Sequence, residues 1–438
     1  MSRIQVLLFA ALAGCAGSSG GADGGTPEDS DTGSESGGDA DTDTDGDTDT
    51  DGDTDTQASC PAAEVGKVLG RDRFMIGGAM TDASLSAAPF DVRYQYLAGN
   101  VPTPGPCDSC ASGCVVDGQS CANTAGCAWW GCWQYDQVPP GQFVIDFMES
   151  THAAGAVPML TYYIWFSVAG NVEGAPEIAA LADGARLGAY LADFRFMCEV
   201  VAKSPDIEVI LHLEPDLWGY GQQVDADPSS IPTALADANE PECSGMASTL
   251  AGLASCLRAI AAAEAPNALV AFHASAWGAG ADALVNSDPG FDLQGHAAST
   301  AAYMQALGAA DADLVVLEMS DRDAAYNGRW WDASDATLPD FAQAIAWGKA
   351  LGEALDLAPL WWQVPYGHMG LPNACDQYED NRVDYVFDHA DAFAAGGALG
   401  VAFGAGMDCM TTAETDDGHF LTRAADYYAG PRPPLCGE

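Results

Sequence analysis

The stretch "VILHLEPDLWGYG", Val209 to Gly221, sets His212, Glu214 and Asp216 two residues apart. Alternate residues of a β-strand share one face. With Leu211 and Leu213 turned toward an apolar layer, His212 and Glu214 point the other way, and Asp216 follows where the strand should stop. A second acid has the same setting. In "DLVVLEMSDRD", outward-facing Val315, Leu317 and Met319 leave Glu318 inward. Two carboxyls facing each other across a cleft can flank a bond, one protonated to assist a leaving oxygen and the other ionised. Burial raises the pKa of one carboxyl, and its neighbour's charge raises it further. Glu214, Asp216 and Glu318 are therefore the candidate catalytic residues. A plainer role stays open for Glu214, that of a buried acid bonded to His212 or to loop backbone.

Rings and amides stand around these acids. Tyr163 and Trp165 lie in "AVPMLTYYIWF", Trp218 follows Asp216, His273 and Trp277 lie in "ALVAFHASAWG", and Gln363 and Tyr366 lie in "PLWWQVPYGHM". Flat rings stack on the apolar faces of pyranose sugars, while amides and carboxylates take the hydroxyls. Those seven residues are the candidate substrate contacts. Further loop aromatics (Trp129, Trp130, Trp133, Tyr135, Tyr220, Trp330 and Trp331) divide between the same role and loop core, and Trp361 and Trp362 read as core. Other chemistries lack their signatures. His212, Asp216 and His273 make no metal set, because the His pair at helical spacing is missing, so neither metal nor cofactor is expected. There is no G-x-S-x-G elbow for a serine hydrolase. Asp321 and Asp323 read as caps of their loop, and Asp380, Asn381 and Arg382 as the start of the last helix.

The elements that must position these residues form a regular series. Apolar runs bounded by turns occur in "RFMIGGAM", "FDVRYQYLAG", "AVPMLTYYIWF", "IEVILHLEPDLWG", "ALVAFHASAWG", "DLVVLEMSDRD", "PLWWQVPYGHM" and "LGVAFGAGMD". Alanine-rich segments of helical spacing lie between them, such as "RLGAYLADFRFMCEVVAK" and "DFAQAIAWGKALGEAL". Eight strands alternating with helices predict an α/β fold, a (β/α)8 TIM-type barrel. A doubly wound sheet is the alternative, and "MIGGAM" lacks the G-x-G-x-x-G loop that would support it. In the barrel, chemistry belongs at the C-terminal ends of the strands. The polar residues above gather there, whereas the strand starts are almost purely apolar.

The 438 residues carry 63 Asp and Glu against 15 Lys and Arg, a formal charge of −48. Such a surface repels phosphate and argues against nucleic acid and anionic membranes as partners. The chain opens "MSRIQVLLFAALAGC", one arginine before an apolar run shorter than the roughly twenty residues needed to span a bilayer. Residues 1–15 read as a secretory signal, and Leu12-Ala13-Gly14-Cys15 looks like a lipobox in which Cys15 is lipidated. Ala16 next to it does not hold the protein at an inner membrane, so a lipid anchor in the outer membrane of a bacterial envelope is expected. Residues 16–59, rich in Gly, Ser, Thr and Asp, read as a disordered tether. Their Asp runs lack the glutamate that closes an EF-hand loop. Residues 60–438 remain as one folded domain, expected as a monomer. Thirteen cysteines besides Cys15 predict disulfides outside the cytoplasm. Six between Cys107 and Cys132 would staple a loop after the second strand. Cys60 with Cys436, Cys243 with Cys256 and Cys375 with Cys409 are the further expected pairs, leaving Cys198 as a buried thiol.

Two resemblances arise at "LEPD". Glu214-Pro215 resembles the Glu-Pro of the large retaining (β/α)8 glycosidase clan, whose glutamate is the acid/base. This chain has Leu213 where that clan has asparagine, and no glutamate in "WWQVPYGH" where its nucleophile belongs. The second covers roughly Val209 to Gly278, where "VILHLEPDLWG" and "CLRAIAAAEAPNALVAFHASAWG" are similar to glycoside hydrolase family 6 cellulases. That resemblance implies Asp216 as general acid; the family's aspartate on the preceding strand is missing from "LTYYIWFSV". The C-terminal "GVAFGAGMDCMTT" region also resembles secreted bacterial barrel proteins. The expectation is a surface-tethered barrel hydrolase of a β-linked, cellulose-like polysaccharide, with Glu214 or Asp216 as acid and Glu318 as partner. The rival is a polysaccharide-binding lipoprotein without catalysis.

Overall fold

The structure, a computed structural model, describes residues 60–99, 101, 114–116, 119–121, 131, 133–134, 139–320 and 322–437. Its strands are β1 (Met75–Gly78), β2 (Val92–Ala98), β3 (Cys114–Val116), β4 (Gln119–Cys121), β5 (Val157–Tyr163), β6 (Val209–Leu213), β7 (Ala268–His273), β8 (Leu314–Glu318), β9 (Ala358–Val364) and β10 (Gly400–Phe403). Eight of them pair in parallel as a closed barrel, in the order β1-β10-β9-β8-β7-β6-β5-β2. All eight apolar runs of the sequence supply a barrel strand. β3 and β4 form an antiparallel hairpin between β2 and β5, with Cys114 opposite Cys121. The signal and its Cys15, the tether, Trp129, Trp130, Tyr135, Asp321 and the other four cysteines between Cys107 and Cys132 lie outside the described residues.

Strand parity divides the apolar side chains into two layers. Val92, Met159, Ile210, Ala271, Val316, Leu360 and Trp362 pack together inside the barrel. Leu160, Leu211, Leu213, Phe272, Val315, Leu317 and Trp361 belong to a second, larger cluster shared with the surrounding helices. Parallel strands buried on both faces need such near-continuous apolar runs. The helices start where a short polar side chain can take their unpaired N–H groups. Asp183 caps Gly184–Val201, Thr249 caps Leu250–Glu264, Asp292 caps Leu293–Leu307 and Asp340 caps Phe341–Leu355.

At the end of the barrel where the strands begin, Ala62 and Val65 of the helix Pro61–Val68 pack with Leu69 and Leu435 against the inner layer. Asp91, just before β2, accepts hydrogen bonds from Ile76 N–H, the Tyr428 hydroxyl and Arg432, and pairs with Arg71. A cavity of about 380 Å³ is lined by Asp91, Arg71, Tyr428 and Arg432 together with Pro89 and Phe90. Cys60 is bonded to Cys436 beside it, so the two ends of the domain are joined there. Cys243–Cys256 and Cys375–Cys409 are the other disulfides among the described residues, and Cys198 is a buried free thiol. All four agree with the sequence expectation.

Candidate functional site

At the opposite end, β6 and β8 bring two acids to the mouth. Glu318 is the last residue of β8, in register with Trp362, and is half-buried. Asp216 lies just past β6, immediately before the helix Leu217–Val224, and is also half-buried. The Tyr163 hydroxyl at the end of β5 donates to Asp216 Oδ2 at 2.8 Å. Tyr96 of β2 belongs to the same group. Burial, its neighbour Tyr94, Glu318 and Asp216 all push its phenol pKa upward, so both acids act on one ring. Its oxygen accepts a 2.7 Å hydrogen bond from Gln363 Nε2. Asp216, Glu318, Tyr163 and Gln363 are thus brought together, and Tyr96 joins them unannounced.

Glu214 is placed differently. Its N–H continues the ladder to Tyr162 O at 2.8 Å, but its φ is +45°, a left-handed conformation that is costly for a glutamate. The kink ends the strand's alternation. The carboxyl, with no solvent exposure, accepts hydrogen bonds from Ile164 N–H (3.1 Å) and Trp165 N–H (3.0 Å) in the loop after β5. Burial pushes its pKa up to about 8, against the pull of those two amides and of the Tyr190 hydroxyl beside it. Geometrically Oε2 has no well-formed partner, so Tyr190 is better described as a neighbour than as a bonded donor. The backbone-bonded alternative describes Glu214, which pins the β5 loop to β6.

A fourth acid lies behind Asp216. Glu177, on the short helix Ala175–Ala179, has no solvent exposure and no partner for either carboxyl oxygen. Burial first, then the charges of Asp216, Glu214 and Glu173, raise its pKa to about 9. At neutral pH it is a protonated acid. Its position in "GAPEIAAL" reads from sequence as an ordinary surface glutamate, and no local signal announces its burial.

Beneath the mouth runs a polar layer. Thr161 Oγ1 meets His212 Nδ1 at 3.2 Å, and His212 Nε2 meets His273 Nδ1 at 3.1 Å. Both rings pack against Trp362. Burial lowers His273 to about 3, and burial with His273 lowers His212, so both are neutral imidazoles at working pH. His273 is only 1% exposed, below the reach of a ligand at the rim.

The remaining aromatic candidates separate by exposure. Trp277 is half-buried and packs on Tyr220 with centroids 4.8 Å apart. Trp165, Trp218 and Tyr366 are fully buried. Trp165 donates to Glu177 O at 3.2 Å, Trp218 to Leu213 O at 2.9 Å, and Tyr366 to Ala79 O at 2.7 Å. Trp218 and Tyr366 tie loops to strand ends and Trp165 ties two short helices of the β5 loop together, all with buried rings. The loops after β8, β9 and β10 are joined by Asp323, which accepts from Gly367 N–H (3.1 Å) and Thr411 N–H (2.8 Å). Asp380 joins them too, accepting from Ala324 N–H at 2.6 Å and pairing with the buried Arg382. Among the described residues no group of three or more His, Cys, Asp or Glu could hold a metal ion.

No protein-family model matches the chain, and no curated protein matches it. Solved structures resemble it distantly. A modular endo-β-1,4-mannanase of glycoside hydrolase family 26 from Cellulomonas fimi is 12% identical, with a TM-score of 0.48 over 86% of this chain and 76% of that one. A GH5 xyloglucanase from Bacteroides ovatus is 11% identical, with a TM-score of 0.41 over 86% and 78%. The endoglucanase CEL6B from Humicola insolens is 13% identical, with a TM-score of 0.30 over 52% and 63%. All three are glycoside hydrolases; likeness at this level says nothing of substrate or mechanism. The barrel is read from its own strand pairing.

Proposed function

We propose that the protein is a glycoside hydrolase of a β-linked polysaccharide, with Asp216 as general acid and Glu318 as the partner carboxylate. The observation that carries this reading is the mouth itself. Two half-buried carboxyls, one just past β6 and one ending β8, flank the Tyr96 ring: that ring packs on Tyr163, whose hydroxyl donates to Asp216, and on Trp362, the register partner of Glu318, at the end of the barrel where this fold does its chemistry. Glu214 is the weaker choice of acid, because its carboxyl is sealed and engaged by backbone amides. Tyr163, Trp277 and Tyr220 would hold the sugar, by hydrogen bonding and by stacking, while Gln363 is committed to Tyr96. The glycan is neutral, consistent with a chain of net charge −48.

The same proposal includes export, lipidation of Cys15, and residues 16–59 as the tether to the outer membrane, with the domain acting as a monomer. Among the described residues no helix is long and apolar enough to cross a membrane. The rival, a binding lipoprotein that keeps the barrel without cleavage, is separated by one screen. The purified domain is incubated with cellulose, mannan, xyloglucan and β-glucan, and new reducing ends are counted. Release from one glycan, lost at least a hundredfold in Asp216→Asn and Glu318→Gln while binding persists, supports the hydrolase. Tight binding with no release from any of them supports the rival.

A further inference from the structure

Gln363 stands where regular strand geometry would not put it. β9 and β10 pair Trp362 with Ala402 and then Val364 with Phe403, skipping Gln363. This extra residue has a φ of +57°. A bulge of this kind breaks alternation, and two consecutive residues, Trp362 and Gln363, turn to the barrel interior. The left-handed backbone costs energy for a glutamine, and such strain concentrates at sites that use it. What it achieves here is one contact, the amide donating to Tyr96 Oη at 2.7 Å.

That contact orients the phenol. Tyr96 shares the inward parity of Val92 and Tyr94, and its ring is wedged against Trp362 (centroids 5.5 Å) and Tyr163 (6.3 Å). A phenolic oxygen lies in its ring plane with one proton to give. Gln363 occupies an acceptor position on one side, so the O–H is directed to the other. Its two ring neighbours lead to the two acids: Trp362 is in register with Glu318, and the Tyr163 hydroxyl donates to Asp216. With Glu318 as the ionised partner, further negative charge beside the ring is disfavoured. An acceptor fitting there is an uncharged oxygen.

We propose that Tyr96, oriented by Gln363, donates its phenolic hydrogen bond to a neutral sugar oxygen between Asp216 and Glu318, and that the mouth thereby selects neutral pyranosides over uronates. Tyr96 is then a substrate contact and Gln363 its positioning residue. The substrate class rests on the glycan reading above, but the contact itself is read by binding as well as by cleavage.

The test uses cellohexaose, mannohexaose and a β-1,4-linked mannuronate hexamer against the wild type, Tyr96→Phe and Gln363→Asn. Asparagine tolerates the left-handed backbone but is one methylene short of the phenol, and it leaves the Tyr96 ring in place should Tyr96→Phe fold poorly. A neutral hexamer should bind, with a tyrosine ultraviolet difference signal that is absent in Tyr96→Phe. Affinity should fall about tenfold in either variant, with the double variant no worse than the single ones, and the mannuronate should bind at least tenfold more weakly than the neutral hexamers. Unchanged affinity in both variants overturns the proposal alone, as does equal binding of the mannuronate. Binding that weakens in the variants without any cleavage upholds the contact and removes the hydrolase. No binding of any hexamer overturns both.

Discussion

Glu177 and Glu214 are the two residues whose burial has the clearest consequence for stability. Their folded-state pKa values, about 9 and about 8, stand above the ordinary 4.5. The fold therefore binds these protons more tightly than the unfolded chain does. Their contribution to stability is full below about pH 4.5 and is withdrawn as the pH rises through 8 to 9. Each carboxyl can remove up to about 1.4 kcal/mol per pH unit across that window. Glu177→Gln keeps the shape and abolishes the titration. Thermal unfolding at pH 5, 7 and 9 should show a smaller alkaline loss of Tm in Glu177→Gln than in the wild type; parallel curves would mean that Glu177 is not protonated in the fold. The two acids also differ in how far sequence reveals them. Parity counting reaches Glu214 but not its kink, because a single left-handed φ reverses where the side chain goes. Tyr96 was within reach of the same counting, two residues beyond Tyr94 in "VRYQYLA", whereas Glu177 is buried by a tertiary contact with no local period.

At the scale of elements, the eight strands were legible because a barrel buries both faces of every strand and so demands unbroken apolar runs. The capped, alanine-rich helices were legible for the same kind of reason. What escaped was the direction of aromatic side chains in the short turns that follow the strands. Trp165 and Trp218 come two and five residues after a strand end, close to Tyr163 and Trp277 in sequence setting, yet they are fully buried while the latter two stay half-exposed at the rim. The choice is made by available acceptors: Leu213 O holds the Trp218 indole and Glu177 O holds that of Trp165. Trp218→Phe leaves the Leu213 carbonyl without its donor and should cost about 1–3 kcal/mol in chemical denaturation. Trp277→Ala, on the half-exposed ring, should leave the unfolding midpoint nearly unchanged and weaken hexasaccharide binding severalfold. Equal destabilisation by both changes would place Trp277 in the core as well.

Taken whole, the molecule separates stability from chemistry by end. Where the strands begin, the helix Pro61–Val68 and Leu435 pack on the inner layer, Asp91 binds Arg71, Arg432 and Tyr428, and Cys60–Cys436 joins the two ends of the folded domain. Where the strands finish, half-buried acids and rings are held by the loops after β5, β6, β8 and β9. The disulfide pairs were legible only as the nearest arrangement of single cysteines, which sequence suggests without fixing: Cys60–Cys436 spans the domain, and Cys243–Cys256 and Cys375–Cys409 are 13 and 34 residues apart. The central claim is that Asp216 gives a proton to the departing sugar oxygen while Glu318 serves the other side of the bond. The most direct measurement compares hydrolysis of an oligosaccharide and of its 2,4-dinitrophenyl β-glycoside, whose leaving group needs no proton, by the wild type and Asp216→Asn. The account predicts a loss of at least a hundredfold on the oligosaccharide with a nearly unchanged bond-breaking step on the dinitrophenyl glycoside. Equal loss on both substrates, or none on either, would contradict it.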